Sequence, residues 1–139
     1  MEGTVRATDE KVRRFIAKRM AEIAEGIAKS YRANAKTVYD FKYPAVINDK
    51  NFTEFFVKNT REILGGECIE EITIPTMTSE DVAFFLQKVP GTFFLLSNPA
   101  ISSDGTIYPH HTDKFDIDES LLYKGSVAVA NTVFKYLEE

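Results

Sequence analysis

Apolar residues recur at three- and four-residue spacing along three stretches of this chain, which predicts three long amphipathic helices. The first helix follows Thr8, a candidate N-cap, and continues to about Tyr31, with its basic residues on a solvated face. The second covers about Lys50–Leu64, and the last begins after Asp118 and ends near Leu137. The pattern therefore predicts helices near the start, the middle and the end of the chain.

We expect four other segments to be strands, the first from its alternating sides and the others from their β-branched, aromatic or apolar residues. They are residues 3–7, 35–41, 68–74 and 92–97, the last of which is a continuous apolar run. A shorter helix is predicted between the last two strands, with Thr78 or Ser79 as its N-cap. Alternating strands and helices predict the α/β fold class, with a boundary that separates residues 1–48 from residues 49–139.

Composition narrows the functional classes. The chain has 139 residues, 44% of them apolar, which is enough to bury the core of one domain or of two small pieces. Its net charge of -4 and scattered basic residues argue against nucleic-acid binding. Its single cysteine, Cys68, cannot form an intramolecular disulfide and is expected to be a small buried hydrophobe. Without a signal-peptide pattern or an apolar run of membrane-spanning length, we expect a cytoplasmic location and no membrane partner.

The two histidines of the chain, His110 and His111, are adjacent in a turn-rich stretch that also carries several aspartates. Neutral imidazole is a common metal ligand. Consecutive side chains in an extended segment point to opposite sides, so only one of the two is expected to bind a metal ion. Composition alone also allows both to be ordinary loop histidines.

Three further residues are ambiguous from the sequence alone. Thr78 and Ser79 open a predicted helix, where they either cap it or face an anion. Arg6 is either a surface charge or a bidentate clamp for a carboxylate.

Residues 3–6, 43–49, 78–91 and 109–118, taken in that order, resemble the C-terminal part of M20-family metallo-amidohydrolases. This family includes aminoacylases, hippurate hydrolases and indole-acetyl-amino-acid hydrolases. The resemblance implies that residues 1–48 are half of a ferredoxin-like lid and dimerisation domain, built as strand, helix, strand. It also implies that residues 49–139 are the C-terminal α/β portion of a zinc-peptidase-like catalytic domain.

The same resemblance implies hydrolysis of the amide bond of N-acyl amino acids or small peptides by two divalent metal ions. These are zinc, with manganese or cobalt as alternatives. The family's ligand histidine maps to His111, with His110 as its neighbour, and Thr78, Ser79 and Arg6 map to substrate-binding positions. The family's other ligand motifs and its glutamate base lie upstream of the matched segments. No catalytic residue is therefore assigned, and we expect this chain alone not to hold the metals stably.

We therefore expect a C-terminal fragment of a metal-dependent amidohydrolase that is inactive alone. Two alternatives stay open. The chain is a noncatalytic oligomerisation or binding module that self-associates through exposed edges, or it is half of a split enzyme completed by an N-terminal chain.

Overall fold

The described part of the protein, residues 1–138 of a computed structural model, is built from helices and irregular segments. Four α-helices occur in it: α1 at Glu10–Ser30, α2 at Lys50–Leu64, α3 at Val82–Leu86 and α4 at Leu122–Glu138. Single 3-10 turns lie at Gly66–Cys68 and Glu119–Leu121. None of the helices described is long and apolar enough to cross a membrane.

The ends of the long helices follow from their capping residues. The carboxylate of Asp9 accepts a hydrogen bond from the Val12 backbone N–H at 2.8 Å, and Asp49 caps α2 through the Phe52 N–H at 2.8 Å. α2 stops at Gly65, whose φ of 95° is unfavourable for residues with a side chain. The three long predicted helices are confirmed, with Asp9 in place of Thr8 as the first N-cap.

The predicted α/β fold class is wrong for residues 1–138, because none of the four predicted strands forms. The β-pairing described is one isolated antiparallel bridge between Pro99 and Ile117. Neither the strand–helix–strand half of a ferredoxin-like lid nor an α/β catalytic portion is present in this structure. A strand exists only when a second segment satisfies its backbone groups, and residues 3–7, 35–41 and 92–97 form no such ladder.

The described chain divides into two compact units. One unit contains Met1–Asn48 together with Ile72–Pro90, and the other contains Asp49–Glu71 together with the chain from Gly91 onward. The assignment of residues 1–48 and 49–139 to a lid and a catalytic domain stays a prediction.

The first unit is organised around the N-terminal half of α1. Arg13, predicted to lie on a solvated face, is instead buried at 8% exposure and forms an ion pair with Glu10 at 2.9 Å. Its guanidinium lies 5.1 Å from the centre of the Phe41 ring, and that of Arg14 lies 5.4 Å from the same ring. These cation–π contacts hold an extended segment beside the helix without strand pairing.

The second unit is organised around the packing of α2 against α4. Phe56 and Ala128 are its buried apolar residues, and the Phe56 ring stacks on Phe94 with centroids 4.7 Å apart. The Asn131 side-chain amide donates to the backbone carbonyl of Asn59 at 2.9 Å, which joins the two helices by a polar contact.

Cys68 lies just after α2 and is exposed, so its predicted burial is wrong. Its thiol donates to the Leu64 carbonyl at 2.9 Å, one of the carbonyls at the end of the helix. The cysteine therefore has a local structural role here.

Candidate functional site

The histidines lie in an exposed turn between the Pro99–Ile117 bridge partners. Thr112 closes the turn twice: its hydroxyl donates to the Pro109 carbonyl at 3.0 Å, and its own carbonyl accepts from the Phe115 N–H at 3.2 Å. Pro109 fixes the chain direction at the start of the turn, because its ring restricts φ. Local hydrogen bonds therefore close this segment, in agreement with the turn-rich stretch predicted from the sequence.

Two pairs of side chains brace the same turn. The His110 ring lies against Phe115, with centroids 4.4 Å apart and an angle of 31° between the planes. The Lys114 ammonium lies 5.2 Å from the centre of the Tyr108 ring. Each pair joins residues from opposite ends of the turn. The role of Phe115 could not be predicted from the sequence, because a contact over five residues depends on the turn itself.

His111 differs from its neighbour. Its φ is 67°, in the left-handed region that is unfavourable for a residue with a Cβ. Within residues 1–138 its exposed imidazole forms neither a hydrogen bond nor a ring contact. The structure thus gives the two adjacent histidines different environments.

Two of the three aspartates of this stretch accept hydrogen bonds from the backbone. Asp116 accepts from the Ile117 N–H at 2.8 Å, and Asp118 accepts from the Ser120 N–H at 2.9 Å as the cap of the following 3-10 turn. Hydrogen bonds from Ser120 also hold the pKa of Asp118 below its ordinary value, because they stabilise the carboxylate. These two carboxylates therefore fix the exit of the turn.

A second loop nearby in sequence is also closed by a carboxylate. Asp104 accepts from the Ser102 hydroxyl and from the Thr106 N–H, the latter at 3.0 Å, and Gly105 has a φ of 82°. Chiefly the bond from Ser102 lowers the pKa of Asp104. The Asp-Gly pair in the sequence is typical of such a turn and could have predicted it.

The side chains described do not form a complete metal centre. No group of three or more His, Cys, Asp or Glu residues that could hold a metal ion occurs among residues 1–138. His111 can offer one imidazole nitrogen, whereas a zinc site in a protein uses three or four protein ligands. The residues present therefore do not fit a dinuclear site, although they leave one candidate ligand available.

The three predicted substrate-binding residues lie in the first unit, whereas His111 lies in the second. Arg6, Thr78 and Ser79 are all exposed. The Thr78 hydroxyl lies 3.3 Å from that of Thr76, and no hydrogen bond or ion pair in the described chain joins Arg6 to Thr78 or Ser79. α3 begins at Val82, so neither Thr78 nor Ser79 caps it as predicted.

Comparison with known proteins gives a consistent family match. The family model described as peptidase family M20/M25/M40 matches residues 4–135. The putative amidohydrolase YhaA of Bacillus subtilis is 34% identical over 140 residues, covering 96% of this chain and 33% of the relative. Thermostable carboxypeptidase 1 of Saccharolobus solfataricus is 34% identical over 137 residues, covering 98% of this chain and 34% of the relative.

An N-acetyldiaminopimelate deacetylase of Ligilactobacillus salivarius is 36% identical over 97 residues, which cover 69% of this chain and 25% of the relative. The chain thus spans about a third of the length of the first two relatives. No solved structure matches it.

Proposed function

The chain belongs to the peptidase family M20/M25/M40, and from this membership we propose that it supplies the C-terminal part of a metal-dependent amidohydrolase. The proposed reaction is hydrolysis of the amide bond of N-acyl amino acids or small peptides. The observation that carries the proposal is the family match over residues 4–135. Relatives named as an amidohydrolase, a carboxypeptidase and a deacetylase support this substrate class.

His111 is the proposed contribution of this chain to the metal centre. Its exposed imidazole, which lacks a partner among residues 1–138, suits a ligand that faces a metal ion held mainly by other residues. The two divalent metal ions proposed for the intact enzyme are zinc, manganese or cobalt. The remaining ligands and the general base are proposed to come from outside this chain, so no catalytic step is assigned to its residues.

Arg6, Thr78 and Ser79 are proposed to contact the substrate. The Arg6 guanidinium can bind a carboxylate of the substrate through two parallel hydrogen bonds. The hydroxyl groups of Thr78 and Ser79 can each donate to or accept from a polar substrate group. The exposure of all three side chains leaves them available for this role.

The first test compares the isolated chain with a completed enzyme. Hydrolysis of N-acetyl amino acids is measured with added zinc, manganese or cobalt, first with this chain alone. This chain then replaces the matched third of Bacillus subtilis YhaA in a chimera, or is folded together with the remaining two thirds as a separate chain. We expect turnover only from the completed forms, and clear turnover by the isolated chain would contradict the proposed division of the site.

The second test addresses the proposed ligand. His111→Ala should lower turnover and bound metal of the completed enzyme by roughly 100-fold or more, because loss even of residues that orient a ligand costs 10- to 100-fold. His110→Phe is the matched control, since it keeps an aromatic ring beside Phe115. Equal metal content and turnover in His111→Ala and the unchanged chain would show that His111 is not a metal ligand.

A second candidate function is a noncatalytic oligomerisation module. The apolar residues Phe15, Ile23 and Ile27 on α1 are at least half exposed, and α1 packs against no other described helix. Such a face favours association with a second copy or with a complementing chain. Light scattering during size exclusion tests this, and a monodisperse monomer over a wide concentration range would argue against self-association.

A further inference from the structure

The histidine turn brings together two side chains that an extended chain would hold far apart. His110 and Phe115 are five residues apart, which corresponds to about 17 Å in a fully extended chain. Their ring centroids are nevertheless 4.4 Å apart. The stack therefore forms only when the chain reverses its direction between them, at His111 and Thr112.

His111 adopts the unfavourable backbone conformation in this reversal. Its φ of 67° is sparsely populated by residues other than glycine, and such a conformation persists only where surrounding contacts impose it. The hydrogen bonds of Thr112 to Pro109 and Phe115 close the backbone on one side of His111. The contact between the His110 and Phe115 rings restrains the same turn through its side chains.

We infer that His110 and Phe115 are positioning residues, whose stacked rings hold His111 in the left-handed conformation that presents its imidazole. Phe115 lies against the face of the His110 ring, whereas no hydrogen bond or ring contact is made by the His111 imidazole within residues 1–138. Adjacent histidines thereby acquire different roles from one local contact. An effect of this conformation on activity rests on the proposed function of His111. The effect of the His110–Phe115 contact on the His111 backbone does not.

Nuclear magnetic resonance of the isolated chain tests this inference. Phe115→Leu removes the aromatic ring but keeps an apolar side chain at a site that is 39% exposed, so the fold should tolerate it. Phe115→Tyr keeps the ring and should rescue every effect. Phe134→Leu removes an exposed ring of α4 and is the matched control.

Three signals are followed: the upfield ring-current shift of the His110 ring protons, the Hα and Cα shifts of His111, and exchange of the amide proton of residue 115. In Phe115→Leu, we expect the ring-current shift to disappear, the His111 shifts to move toward random-coil values, and the amide to exchange roughly tenfold faster or more. Phe115→Tyr and Phe134→Leu should match the unchanged chain.

Two results would overturn the inference. One is the absence of a ring-current shift at His110 in the unchanged chain. The other is a Phe115→Leu spectrum in which that shift is lost while the His111 shifts and the exchange rate stay the same. These results do not depend on hydrolysis. If His111→Ala leaves turnover and bound metal of the completed enzyme unchanged, the proposed ligand is contradicted and the positioning inference stays intact.

Discussion

Thr60 carries the clearest unfavourable feature of the second unit. Its side chain lies on α2 at 4% exposure, and its hydroxyl oxygen is buried without a hydrogen-bond partner among residues 1–138. A buried hydroxyl that has lost its water without gaining a partner destabilises the folded state. Thr60→Val should therefore stabilise the protein, because it replaces this hydroxyl by a methyl group of similar size.

The expected gain in the free energy of unfolding follows from the burial of the Thr60 hydroxyl. Removing an unpaired buried polar group relieves about 1–3 kcal/mol, and burying the added methyl group favours folding further. Valine and threonine have similar helix propensities, so α2 itself should change little. Imperfect fit of the methyl group offsets part of this gain. We expect the free energy of unfolding to rise by about 1–2 kcal/mol.

Thr132→Val is the matched control on the partner helix. Thr132 is also buried, but its hydroxyl donates to the Ala128 carbonyl at 2.7 Å. The same substitution should there lower the free energy of unfolding by about 0.5–1.5 kcal/mol, the net value of an ordinary hydrogen bond. The two variants thus have the same chemistry and opposite expected signs.

Urea unfolding followed by far-UV circular dichroism measures both variants. With an m-value of about 2 kcal/mol per M, Thr60→Val should raise the unfolding midpoint by roughly 0.5–1 M. The m-value itself should stay the same. A midpoint that falls in Thr60→Val as it does in Thr132→Val would mean that the Thr60 hydroxyl is paired, and the reasoning would fail.

Five further substitutions test local features. Asp49→Ala should cost about 1 kcal/mol in urea unfolding, because it removes the cap of α2, whereas Asp49→Asn should keep most of it. The lowered pKa of Asp104 contributes stability above its ordinary pKa that is lost as pH falls through the lowered value. Ser102→Ala should raise that pKa in a carbon-detected titration. Gly26→Ala in α1 should stabilise the protein by about 0.5–1 kcal/mol in thermal unfolding. Gly125→Ala in α4 should stabilise it by less, because the added Cβ would meet the Leu96 side chain at 3.3 Å.

The helices could be predicted because their hydrogen bonds are local. The sequence contains both boundaries of α2, with Asp49 at its start and Gly65 at its end, and each residue does there what its chemistry predicts. The strands could not be predicted in the same way. Residues 35–41 and 92–97 have the composition of strands, but β-propensity does not supply the neighbouring segment that a strand needs.

Burial was predicted less well than helicity. The spacing of apolar residues on α1 identifies an apolar face, but not which surface covers it. Phe15 and Ile27 are exposed in the structure, whereas Arg13 is buried by its contacts with Glu10 and Phe41. A long basic side chain can bury its stem and pair its charge. The ion pair with Glu10 is local, but the contact with Phe41 depends on a residue far away in sequence. Periodicity alone cannot predict such a contact.

The crowding of imidazole and carboxylate around residues 108–118 first suggested a local metal site, and the geometry favours a different explanation. Asp116 and Asp118 each accept a backbone N–H on one carboxylate oxygen, which makes them weaker candidates for a metal than their position suggests. The His110 ring lies against Phe115, whereas the His111 imidazole has no hydrogen bond or ring contact within residues 1–138, and His111 is the proposed ligand of the turn. One imidazole binds a divalent ion weakly, and affinity rises steeply when further ligands converge on the ion. On the proposed function, the turn should therefore bind metal tightly only in the completed enzyme, where its rigid presentation of His111 spares the cost of ordering that ligand.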